Sequence, residues 1–140
     1  MSTVLLDFTE LLNGTQPIAQ AVAGRIRPPW NRGRGDVVPD ITFEKDDVDR
    51  TEAVSNAGPG NFARWFITLT LRDKTYPGVQ SLTETVRTNL DYYSGTVGST
   101  VFQLVQIVGE SDDYDPETKI HSVDLNLDIP LTETAPAAVA

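Results

Sequence analysis

The sequence predicts an α+β fold, a mainly antiparallel sheet packed on one side by a long helix and an N-terminal helix, and three stretches carry that expectation. Phe62–Arg72 alternates strictly, with Ala63, Trp65, Ile67, Leu69 and Leu71 on one side and Phe62, Arg64, Phe66, Thr68 and Thr70 on the other, the period of a strand with one buried face. Lys119–Ile129 does the same, setting Val123, Leu125, Leu127 and Ile129 against Ser122, Asp124, Asn126 and Asp128. Between them Val79, Leu82, Val86, Leu90 and Tyr93 recur at three- and four-residue spacing from Pro77 onward, a helix of about four turns with one apolar stripe. Strands and helices in separate runs place the helices on one face of an antiparallel sheet.

The remaining elements follow in order. Ser2 or Thr3 can cap a first helix whose apolar residues are Leu5, Phe8, Leu11 and Leu12, and Asn13-Gly14 ends it. Gln16–Val22 reads as a second short helix, opened by Pro17 and stopped at Gly24. Two prolines and two glycines make Arg25–Gly35 a loop, and Ile41 and Phe43 begin a strand near Pro39. Asp46–Gly60 is polar and rich in Asp and Gly, so it is expected as a loop or a poorly packed hairpin. Gly95–Thr100 is expected as a flexible connection, Phe102–Glu110 as a strand, and Ser111–Thr118 as an acidic turn into the last strand. Residues 1–130 then form one domain, and 131–140, small and aperiodic, a flexible tail.

Composition excludes several functions. The chain has 140 residues, a net charge of −9 and no cysteine, so disulfides, thiolate metal sites and cysteine nucleophiles are impossible. Acidity on this scale argues against a general nucleic-acid binder. With no long apolar run, and with no basic leader or cleavage site at an N-terminus whose apolar residues Asp7 and Glu10 interrupt, a soluble protein without an export signal or membrane contact is expected. His121 is the sole histidine, which rules out the usual multi-histidine metal centres and leaves a Ser-His-Asp relay only through this residue. Asp112, Asp113, Asp115 and Glu117 have the charge density of a calcium loop but not its order, and Asp46, Asp47 and Asp49 read as a solvated acidic segment. Gly33-x-Gly35 and Gly58-x-Gly60 lack the strand–glycine–helix setting of nucleotide loops. No catalytic residue, cofactor or metal is therefore expected.

One segment runs against the overall charge. Arg25, Arg27, Arg32 and Arg34 are four of the 11 cationic residues, gathered around Trp30. Arginine and tryptophan are favoured anchors of protein interfaces, and a solvated loop balancing nearby acids is the plainer alternative.

The order of these parts resembles the tail terminator and tail completion proteins of long-tailed bacteriophages. The resemblance rests on the amphipathic first helix, Val22-Ala23-Gly24-Arg25-Ile26 followed by prolines, the strand after Val38-Pro39, the strand Ala63–Arg72, the helix from Val79 with Val86-Arg87, and Asp113-Tyr114-Asp115-Pro116-Glu117-Thr118 before an alternating last strand. It implies a non-enzymatic virion protein that forms a ring, usually of six copies, at the head-proximal end of the tail tube. Such a ring stops tube polymerisation and joins the tail to the head connector, with DNA passing through its lumen unbound; it is assembled in the host cytoplasm. Its partners would be copies of itself, the tail tube protein and the head–tail connector protein. The family fold, a sandwich with the sheet toward the lumen and helices outside, agrees with the order of elements read above. On this reading Asp124, Asn126 and Asp128 face the lumen, while Arg25, Arg27, Trp30, Arg32 and Arg34, with Asp46, Asp47 and Asp49, contact neighbouring subunits or rings. The Arg32–Asp36 and Asp46–Gly60 segments look long for the family, and the tail after Pro130 extends past it. A head-completion or minor tail protein of the same particle, a small acidic protein-binding module and an enzyme using carboxylate, serine or lysine chemistry are the alternatives.

Overall fold

Three helices lie on one face of a seven-stranded sheet in the computed structural model, which describes residues 3–30, 37–50 and 62–133. In chain order the elements are α1 (Val4–Gly14), α2 (Gln16–Ala21), β1 (Ile26–Arg27), β2 (Asp40–Asp49), β3 (Phe62–Asp73), α3 (Tyr76–Leu90), β4 (Gly95–Val97), β5 (Thr100–Phe102), β6 (Gln106–Asp115) and β7 (Ile120–Glu133). Strand order is β1-β2-β3-β7-β5-β4, with β6 also on β7, and every pairing except β1–β2 is antiparallel.

β3 and β7 form the centre of the sheet and pair from Phe62↔Thr132 to Asp73↔His121. Their alternation puts Ala63, Trp65, Ile67, Leu69 and Leu71 beside Leu131, Ile129, Leu127, Leu125 and Val123 on the helix side, all of them buried. Val4, Phe8, Leu11 and Leu12 of α1, Ile18 of α2, and Val79, Leu82, Val86 and Leu90 of α3 close over that face. Fully burying each such side chain contributes roughly 1.5–3 kcal/mol. Phe8 meets Phe43 edge to face at 5.1 Å between ring centres, which seats α1 on β2.

Local chemistry sets the helix ends. Thr75 caps α3 by accepting from the Gly78 amide at 3.0 Å, ahead of the helix's early proline. Thr3 precedes α1 as expected, but its hydroxyl donates to the Asp7 carboxylate at 3.0 Å instead of capping a backbone amide. The same Asp7 oxygen accepts from the Ser99 amide at 3.1 Å and from the Thr100 hydroxyl at 2.6 Å. This buried carboxylate thus pins the β4–β5 hairpin to α1.

Several boundaries differ from the expectation. Ile26–Arg27, expected inside a loop, is the short parallel strand β1, because the Ile41 amide donates to the Arg25 carbonyl and draws the segment alongside β2. Gly95–Thr100 is not a flexible connection but the hairpin β4–β5, held by Asp7. The expected strand Phe102–Glu110 is two strands, since the Gln103 and Val105 amides turn to the Pro130 and Tyr93 carbonyls. β6 then runs through the acidic stretch to Asp115, leaving only residues 116–119 as the turn. β7 continues through Pro130 to Glu133, three residues beyond the expected end of the domain, and 134–140 lie outside the described residues. Proline fits there because the Pro130 carbonyl points away from β3, toward the Gln103 amide. Its missing N–H falls on the same side, where the partner of β7 changes from β6, whose pairing ends opposite Asp128, to β5, whose pairing begins opposite Leu131.

The buried end of β2 carries an ion cluster. Asp40, fully buried, receives Arg72 Nε on Oδ1 at 2.8 Å and Arg72 Nη2 on Oδ2 at 2.5 Å, and Arg27 Nε lies 3.3 Å from Oδ2. One carboxylate thereby ties β1, β2 and β3 together.

Candidate functional site

The sheet has helices on one face, and its other face is polar. Register places four strands side by side there: Thr42, Thr70, Asp124 and Ser111 form one row, and Glu44, Thr68, Asn126 and Gly109 the next. Asp47, Phe66, Asp128 and Gln106 make the third row, and Asp49, Arg64 and Pro130 a fourth. Hydrogen bonds between strands organise the side chains. Thr70 donates to Asp124 at 2.8 Å, and the Thr68 hydroxyl lies 3.1 Å from Asn126 Oδ1 and also contacts the Asp46 carboxylate. Asp128 Oδ1 makes no hydrogen bond and is answered by Arg64 Nε at 3.4 Å.

Asp46 and Asp47 reach this face together because β2 bulges between Lys45 and Asp47. Before the bulge odd-numbered residues face the helices, and after it Val48 does, opposite Trp65. Of the two expectations for the segment holding Asp46, Asp47 and Asp49, the loop is therefore corrected, while the antiparallel pairing of β2 with β3 agrees with the hairpin. The three acids stand in a strand, on the same surface as Asp124, Asn126 and Asp128, so the two residue groups separated by sequence reasoning are one acidic face. Residues 51–61 of the segment lie outside the described residues.

The basic segment divides differently. Arg25 Nε donates to the Pro39 carbonyl at 2.9 Å, and Arg27 both pairs with Asp40 and donates from Nη2 to the Val37 carbonyl at 3.2 Å. The Arg27 side chain is only 11% exposed, so these two arginines hold β1 against the chain entering β2. Trp30 is 57% exposed and remains available to a partner. Arg32 and Arg34 lie outside the described residues.

The acidic stretch before β7 does not gather around a point. Asp113 Oδ1 accepts from the Tyr114 amide and Asp115 Oδ1 from the Glu117 amide, while Asp112 and Asp113, as strand neighbours, turn to opposite faces. Among the described residues no group of three or more His, Asp or Glu side chains is placed to hold a metal ion. Nor is any described helix long and apolar enough to cross a membrane. His121 sits at the start of β7 against two aromatic rings, with Tyr114 at 4.5 Å and Tyr76 at 5.8 Å between ring centres. These three line a groove of about 420 Å³ at the N-terminal end of α3, which sequence reasoning missed because its walls come from α3, β6 and β7.

The fold has a counterpart in a virion. The chain is similar to one in a solved structure, the virion of a native gene transfer agent particle, with a TM-score of 0.60 over 82% of this chain and 84% of that chain at 10% sequence identity. At that identity the likeness is one of fold, and it extends over most of both chains. No family model and no curated protein matches the sequence.

Proposed function

We propose that this chain is a non-enzymatic structural protein of a phage-like virion, and that it caps the head-proximal end of the tail tube as a ring of six copies. The fold shared with a virion chain over most of both lengths carries the first part. The open polar sheet face, together with the order of elements, supports the second. In a closed ring each subunit offers one surface to the neighbour on one side and a different surface to the other, so growth ends when the rotation closes. Closure fixes the number of copies in the ring, which is what covering one tube end requires.

The polar face is assigned to the lumen. Asp124, Asn126 and Asp128, now joined by Asp46, Asp47 and Asp49, would repel a phosphate backbone and leave passing DNA unbound. Trp30 is assigned to contacts with the adjoining ring or subunit, with Arg32 and Arg34 following it in the chain; Arg25 and Arg27 serve by holding this segment in place. The helix side faces outward. No catalytic step enters the proposal, and the partners are further copies, the tail tube protein and the head–tail connector.

Light scattering and negative-stain imaging of the purified chain, alone and mixed with tail tubes, test it. Rings on tube ends support the proposal; a strict monomer that leaves tubes uncapped overturns it. A one-to-one complex with another protein would favour a small binding module, and a ring located elsewhere in the neck a head-completion or minor tail role.

A further inference from the structure

We propose that the groove between α3 and the β6–β7 hairpin is a docking pocket for an arginine side chain of a partner protein. Its aromatic walls, Tyr76, Tyr114 and His121, stand on the helix side of the sheet beside α3, so it is a surface distinct from the rows of the polar face. Tyr76 and Val79 form its α3 wall, and Tyr114 and Asp112 its β6 wall; His121 lies between the two tyrosines. Tyr76 and Tyr114 are 50% and 46% exposed. Two large rings half open to water, on either side of a third, give a cation aromatic faces to stack on.

The electrostatics select the sign of the occupant. None of the residues lining the groove is a lysine or an arginine. Asp112 and Asp113 are among its lining residues, Asp112 on the helix side of β6 and Asp113 on the other, and from Glu110 to Lys119 the chain has five carboxylates, Glu110, Asp112, Asp113, Asp115 and Glu117, against the single cation Lys119 of that stretch and Arg87 of α3, which lies 3.8 Å from Glu110. A helix N-terminus ordinarily attracts anions, but that of α3 is already answered. The Thr75 hydroxyl caps the Gly78 amide, and the Asp73 carboxylate packs so closely that a Cβ on Gly78 would lie 2.4 Å from it. What the groove still offers is acidic and aromatic. A guanidinium is planar, stacks on aromatic faces and donates to a carboxylate from the same plane, whereas an ammonium does only the last well. Asp112 is positioned for that acceptance: its Oδ2 has a Gln80 Nε2 at 3.5 Å, a contact long enough to yield to a better donor.

Because His121 is the only histidine in the chain, its imidazole NMR signals report on the groove without ambiguity. The probe is N-acetyl-arginine amide, titrated at pH 8 into the full chain, with N-acetyl-norleucine amide and inorganic phosphate as comparisons. The expected result is a saturable shift of the His121 ring signals with the arginine probe alone. Asp112→Asn should weaken binding about threefold or more, as should Tyr114→Ala, each removing one half-exposed contact. Both residues are exposed, and an unchanged amide spectrum elsewhere shows the variants folded. An equal response to norleucine, a response to phosphate in place of arginine, no saturable response, or affinity unchanged in both variants would each overturn the proposal. The titration needs no ring or tail tube, so its outcome is independent of the capping test.

Discussion

Replacing Asp40 by alanine is expected to be the most damaging single change at the edge of the sheet. The carboxylate is fully buried, whereas its partners Arg72 and Arg27 are 20% and 11% exposed at the side chain. Removing one member of a buried ion cluster costs about 3–5 kcal/mol, because the remaining charges lose their partner and cannot regain full hydration. Both guanidiniums keep some contact with water, which favours the lower half of that range. With an unfolding entropy of about 2.1 cal/mol/K per residue, a 140-residue chain would lose roughly 10–14 °C in Tm. Calorimetry and urea titration read the effect. A second variant separates charge from packing: Asp40→Leu with Arg27→Met and Arg72→Met removes the whole cluster and fills its volume, and should be more stable than Asp40→Ala alone. If Asp40→Ala costs less than about 1 kcal/mol, or if the triple variant is the worse of the two, the reasoning about this cluster fails.

Three other outcomes are expected. Gly98→Ala should destabilise by about 1–3 kcal/mol and speed hydrogen exchange at the Ser99 amide, because Gly98 has φ +56° and a Cβ there would lie 2.2 Å from Asp7 Oδ1. Acrylamide should quench one of the two tryptophans freely, and Trp30→Phe should abolish that component, since Trp30 is exposed while Trp65 is buried with its indole nitrogen 3.1 Å from Glu133. Asp47→Lys with Asp49→Lys should make assembled rings retain duplex DNA at low salt, with the gain falling steeply between about 50 and 200 mM salt; unchanged retention would count against the lumen assignment.

The centre of the fold was legible because burial follows a simple period there. β3, β7 and α3 each bury one face, so alternation or helical spacing marked Trp65, Leu127 and Val86 for the core. The misread segments are those where a non-local partner decides the conformation. Nothing near Ile26 or Thr96 announces a strand; β2 and the Asp7 carboxylate supply the reason, from distant parts of the chain. The bulge at Asp46 broke the alternation that would have marked β2, so the segment with three acids could be read equally as a loop or as a poorly packed hairpin. Pro130 looked like an ending because the change of partner along β7 leaves no trace in local sequence. The candidate surface was half legible: the polar side of β7 was read from its alternation, but its union with the β2 acids required the register.

β7 is the last described strand to be synthesised and yet lies inside the sheet, between β3 on one edge and β6 and β5 on the other. A nascent chain that has made everything through β6 therefore still holds three separate strand sets: β1–β2–β3 with one long edge open, the β4–β5 hairpin, and a β6 with nothing to pair with. Only when residues 120–133 leave the ribosome can the pieces join. The acidic face and the aromatic groove both draw walls from β7, so neither exists before that moment. Both surfaces are therefore completed in one late step, and a chain interrupted before β7 has neither of them whole.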